Sequence, residues 1–229
     1  MTYPRRVPQP KKVTVGVEVT PKKAFASALE WPGWSRAGKT PADAVAALAA
    51  YADRYAAVAK RAKLDFPFEA DVQVDVVEET EGNASTAFGI PEVRFRADSR
   101  RTTSKDGDQL AAIVDAAWKL FDRIVAGAPP KLRKGPRGGG RDRDKIVEHV
   151  VGADGGYGRV LGLKGPEVDP RDRAAVADLR KRMLEAIRTP SDGSPIAGKK
   201  WPPRYAARRV AWHALDHAWE IEDRSDPER

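Results

Sequence analysis

The period of the hydrophobic pattern changes once along this chain, near residue 100. Before that point apolar residues alternate. Val13, Val15, Val17 and Val19 fall on one face of a period-two pattern, which predicts a half-buried strand. Residues 24–31 predict a second strand, 71–76 a third and 91–96 one more, with a turn at Trp31-Pro-Gly-Trp34. Between them a helix opens at Pro41, with Thr40 as its cap and Asp43 at its third position. Its apolar stripe runs Val45, Leu48, Ala52, Tyr55 and Ala59. Antiparallel strands around one helix predict an α+β domain over residues 13–98.

After residue 100 the period becomes helical. Leu110, Ile113, Val114, Ala117, Phe121 and Ile124 stripe a first helix over 108–126. A second starts near Asp142. A third opens with Asp169 as cap and carries Val176, Leu179, Met183 and Ile187. A fourth covers about 203–223. Four amphipathic helices predict an all-α four-helix bundle over 108–229. The polar run 99–107 reads as a linker, and residues 1–12, with three prolines and four basic residues, as a flexible arm. Gly152, Gly155, Gly156 and Gly158 each weaken the second helix. Either it ends early or glycine lets a neighbour or ligand come close.

Charge and composition narrow the classes. Lys and Arg outnumber Asp and Glu by 41 to 33, a formal net charge of +8. That favours anionic partners, but the signs are mixed and no nucleic-acid recognition motif appears, so nucleic acid is not expected. With no cysteine there is no disulfide, no cysteine-ligated metal and no thiol nucleophile. No run approaches the ~18 apolar residues of a membrane span, so no membrane partner is expected. The first residues lack the apolar stretch of a signal peptide, so the default expectation is the cytoplasm. A homodimer is also among the expectations.

The chain has three histidines, and they carry the chemistry. His213 and His217 are four apart, one turn on one helix face, with Val210, Ala214 and Ile221 roughly alongside. His149 sits in Ile146-Val-Glu-His-Val, again at helical spacing from apolar residues. Inward-facing imidazoles are either satisfied core histidines or metal ligands. Glu220, three residues past His217, is placed to orient an imidazole or act as a base, and an exposed helix Glu is the plain alternative. Trp212 and Trp219, seven apart, read as packing. The run 131–145 holds seven basic and two acidic residues and leads into the His149 helix. It is either a solvated loop or an anion clamp, with Arg141 and Arg143 within about two turns, roughly 10 Å, of His149.

One helix with Lys145-Ile-Val-Glu-His149-Val, followed much later by Arg209-Val-Ala-Trp-His213-Ala-Leu-Asp-His217-Ala-Trp-Glu220, resembles the DinB/YfiT-like metal-binding bundles. The resemblance covers roughly residues 105–225. It implies that His149, His213 and His217 hold a divalent metal with open positions. Zinc is the default, with nickel, iron and manganese as alternatives. It further implies a low-molecular-weight thiol such as mycothiol or bacillithiol, used in isomerisation or S-transfer on an electrophilic substrate. A different class of function stays open: a binding or regulatory module in which a metal only braces the bundle.

Two patterns compete in the N-terminal part. Gly33 to Thr40 fits the G-x-x-x-x-G-K-T phosphate-loop pattern. The flanking strands alternate, however, where a parallel nucleotide-binding sheet needs continuous apolar strands, and no apolar run ending in Asp follows to hold Mg²⁺. Two strands, Trp31-Pro-Gly33, and Gly38-Lys-Thr40-Pro opening a helix are instead similar to HicB-like domains. That resemblance implies protein or nucleic-acid contacts for this half.

Overall fold

The computed structural model describes residues 12–67, 72–135 and 139–225. The expected N-terminal arm, except Lys12, lies outside the described residues. So do Asp71 at the head of the third expected strand and residues 136–138 of the basic loop.

The N-terminal part is a four-stranded sheet with helices. Its strands are β1 Lys12–Val19, β2 Ala24–Ala28, β3 Ser35–Gly38 and β4 Gln73–Glu81, in the order β3-β2-β1-β4. Consecutive β1, β2 and β3 pair antiparallel, with Val15 opposite Ala28. β4 instead lies parallel to β1. The sheet is therefore mixed, which corrects the expected antiparallel arrangement. The physical reason is the connection: α1 Pro41–Ala50 and α2 Ala52–Arg61 intervene between β3 and β4, and a helical crossover is long enough to bring the chain back in parallel.

The expected single helix is two. Thr40 caps α1 as read, accepting from the Asp43 N–H while Asp43 accepts from the Thr40 N–H. Tyr51, at φ −95° and ψ 5°, then leaves the helical region. The break lets α1 bury Ala44 and Leu48 while α2 buries Ala52, Tyr55, Val58 and Ala59. The turn at Trp31 is closed by Trp34 N–H to the Trp31 carbonyl, with Gly33 at φ 90°, a region that suits glycine.

No strand forms at 91–96. The backbone N–H groups of Glu92 and Val93 donate to the buried carboxylate of Glu18, and that of Phe95 donates to Asp98. Side-chain acceptors have taken the donors a ladder would use. A short helix, α3 Ala84–Phe88, precedes this segment.

The C-terminal region is helical: α4 Ser104–Gly127, α5 Arg143–Val160, α6 Arg173–Arg188 and α7 Pro203–Ser225. α4 starts inside the expected linker because Thr103 and Asp106 form a capping box. α6 starts later than expected because Asp172, not Asp169, accepts from the first free N–H groups, those of Ala174 and Ala175. α5 runs through all four of its glycines. Gly158 is the one that permits close packing, since a Cβ there would meet Leu179 of α6 at 3.1 Å. α4 packs on α6 and α7, and α5 on the same two helices.

Packing does not stop at residue 100. One hydrophobic core runs from Val13 to Ile221 and includes residues of both parts. Gly33 lies so close to α7 that a Cβ there would meet Ala211 and Leu215 at 2.8–2.9 Å. Phe25 packs edge-on against Trp212, and Tyr51 against Trp219. Asp98, inside the sheet-bearing part, is buried against Arg208 of α7. The segment between the parts is pinned as well, through the Thr102–Ser191 bridge. A chain beginning near residue 100 would leave Arg208 unpaired and uncover this face of α7.

Candidate metal centre

α5 and α7 run antiparallel, and the three histidines meet between them. His213 Nε2 lies 3.2 Å from His149 Nε2. Taking one ligand atom from each of His149, His213 and His217, all lie within 4.8 Å of one another. For Zn–N bonds of about 2.0–2.1 Å in tetrahedral geometry, two nitrogens on one ion sit about 3.3 Å apart. The His149–His213 spacing matches that value.

The second nitrogen is defined for two of the imidazoles, His217 and His213. His217 Nδ1 lies 2.7 Å from Glu220 Oε2, which leaves Nε2 free to face the cluster. Glu220 in turn accepts from Arg224 through its second oxygen. Burial alone would raise the Glu220 pKa, but the hydrogen bond and charge of His217 and the Arg224 guanidinium outweigh it and hold the carboxyl below its usual range. His213 Nδ1 is buried without a partner among the described residues. Burial first, then His217, His149, Arg209 and Arg141, hold His213 well below the ordinary imidazole value. His149 is lowered by burial, then by His217 and Arg141. His149 and His213 therefore stay neutral at physiological pH, the state in which a nitrogen lone pair can bind a metal.

Arg224 joins the basic loop to the site. Its guanidinium donates to the carbonyls of Arg133 and Arg141 at 2.8 Å, while its own carbonyl accepts from the Arg133 N–H at 2.9 Å. Arg141 is exposed, and its charge reaches His149 and His213. Arg143 goes elsewhere: it donates to the Ala128 carbonyl and pairs with Asp144. With Asp144, Val147 and Val151 it lines a cavity of about 860 Å³ between α4, α5 and α6, on the far side of α5 from His149. Of the two arginines expected to bind a ligand beside the histidines, Arg143 is thus engaged elsewhere.

Three residues at the site were not among those expected there: Arg209, Tyr157 and Arg224. Arg209 and Tyr157 approach each other one step along the α5–α7 seam, with Arg209 Nη2 3.4 Å from the Tyr157 hydroxyl. The Tyr157 ring stands edge-on to His213 at 5.8 Å. A signal existed, because Arg209, His213 and His217 recur at four-residue spacing, as do Glu220 and Arg224.

The other candidates have structural places. Trp212 and Trp219 are buried in packing, as expected. Asp216 turns toward the sheet and pairs with Arg36 at 3.2 Å. Within the phosphate-loop pattern, Ser35–Gly38 is strand β3, and the Thr40 hydroxyl caps α1.

No helix among the described residues is long and apolar enough to cross a membrane. Comparison with protein-family models, curated proteins and solved structures finds no match to this chain.

Proposed function

We propose that this chain is a metal-binding protein of the DinB/YfiT-like type, with α4 to α7 as its four-helix bundle and His149, His213 and His217 as ligands of one divalent transition metal. Zinc is the default occupant. The observation that carries the reading is the convergence of three imidazoles from two helices, with two Nε2 atoms at the spacing of ligands on one ion.

A divalent ion held by three neutral histidines keeps a coordination position for an exogenous ligand and makes a bound thiol readily ionised. The chain's own residues do the rest. Glu220 fixes the tautomer and rotation of His217 through its 2.7 Å contact. Arg224 fixes Glu220 and ties it to the basic loop. Arg141 places positive charge at the edge of the cluster, where an anionic thiol would approach. With no cysteine in the chain, a reacting thiol comes from outside. The proposed activity is accordingly S-transfer or isomerisation with a low-molecular-weight thiol, in the cytoplasm.

Elemental analysis of the purified protein tests the centre. Wild type should carry about one zinc-class ion per chain, and the His213→Ala/His217→Ala variant none. Equal metal in both would remove the site. Titration of the metal-loaded protein with mycothiol and bacillithiol tests the chemistry. If neither binds at millimolar concentration, the enzyme reading falls and a bracing metal in a binding module takes its place.

A further inference from the structure

Three arginines among the described residues are nearly fully buried: Arg180 at 9% exposure, Arg208 at 2% and Arg209 at 6%. Two have carboxylates. Arg180 pairs with Asp122 and Asp154, and Arg208 with Asp98. Arg209 has none among the described residues, and its Nε and Nη1 are buried without a hydrogen-bond acceptor. A buried cation without a counter-charge is costly, so its retention calls for an explanation.

The surroundings supply one. Arg209 lies one turn before His213 on the same face of α7, about 6 Å along the axis. Its guanidinium is held between aromatic rings, 5.0 Å from Trp212 and 5.8 Å from Tyr157. Tyr157 is braced from behind by Trp201 at 5.1 Å. Across the seam, Gly152 and Gly156 share the His149 face of α5. A Cβ at Gly152 would meet nothing within 4 Å, and one at Gly156 only the Arg159 guanidinium at 4.0 Å. Added side-chain atoms at these two glycines would thus find room on the His149 face of α5, while the Arg209 cation on α7 has no carboxylate partner among the described residues.

We propose that Arg209, backed by Tyr157, is a second anchoring point of this site: it takes the carboxylate of a ligand whose other end reaches the three histidines. The inference deepens the metal-centre reading and rests on it for the far end of the ligand. It names the ligand class: a short molecule with a metal-seeking group and a carboxylate about one helical turn apart. Arginine suits the carboxylate because its planar donors match two oxygens.

The probes are 3-mercaptopropionate and its uncharged amide, titrated calorimetrically into the full chain with and without zinc, with zinc content measured in every sample. Wild type should prefer the acid roughly ten- to hundredfold, the effect of one charged hydrogen-bonded contact. Arg209→Gln, and Arg209→Met, which keeps the stem packed on Trp212, should bind both probes alike with zinc content unchanged. A wild type that does not distinguish acid from amide overturns the proposal, as does a preference that survives both substitutions. Absence of any divalent transition metal from wild type, zinc included, would sink the metal-centre reading separately. The zinc-free titration then still decides the subsite, for or against, by the presence or loss of the acid preference.

Discussion

Glu220 offers the sharpest test of how the proposed metal centre would be held. Its carboxylate touches no other histidine nitrogen than His217 Nδ1, at 2.7 Å, and its second oxygen is engaged by Arg224. Glu220→Ala removes the acceptor that fixes the His217 ring and leaves its Nδ1–H half-buried with no partner. Loss of such a support lowers metal affinity by about 10- to 100-fold, which is about 1.4–2.7 kcal/mol. Glu220→Gln keeps one acceptor oxygen but loses the charge and cannot serve both neighbours, so it should fall at the lower end. Asp216→Ala is the control: it sits one residue before His217 but faces Arg36, and should leave affinity unchanged. The assay is zinc competition against a chelating dye at neutral pH, with His217→Ala setting the full loss. Wild-type affinity in Glu220→Ala, or an equal loss in Asp216→Ala, would refute the reasoning.

Two further outcomes follow from buried charge. Asp98→Ala leaves the Arg208 guanidinium unpaired inside the junction between sheet and α7, and should destabilise by about 3–5 kcal/mol in urea unfolding. Asp98→Ala/Arg208→Met should recover much of that loss, and a double variant as unstable as the single would count against a charge-based cause. Asp154 is pushed up from 3.8 to about 6 by burial, against the pull of Arg180 and Trp118. A raised carboxyl contributes stability that is present below pH 3.8 and lost as pH rises through about 6. The span is about 3 kcal/mol for a shift of about two units. Asp154→Asn should flatten stability against pH in that window, and an unchanged slope would show that another group titrates there.

The sequence by itself carried what depends on local spacing. Alternation located β1, and the 3.6-residue period located four long helices. The Thr40–Asp43 capping box marked the start of α1 to the residue. The four-residue step from His213 to His217 placed two imidazoles on one face, and that face does turn inward. What it could not carry depends on residues far apart in the chain. The parallel pairing of β4 with β1 follows from the path of a crossover, which leaves no mark in either strand's pattern. The failure of 91–96 to form a strand depends on Glu18, more than 70 residues away, capturing its N–H groups. The run 99–107 is polar enough to read as a linker, yet Asp98 beside it is buried because Arg208 waits for it on α7. At the site, Arg141 and Arg143 look equivalent in sequence, but only the folded loop shows that Arg143 is engaged by the Ala128 carbonyl while the charge of Arg141 is felt at His149. The spacing of Arg209 from His213 puts it on the histidine face, but only the packing of α5 on α7 sets it beside Tyr157. Side-chain period reports which face a residue takes, and only the packing of one element on another decides what that face meets.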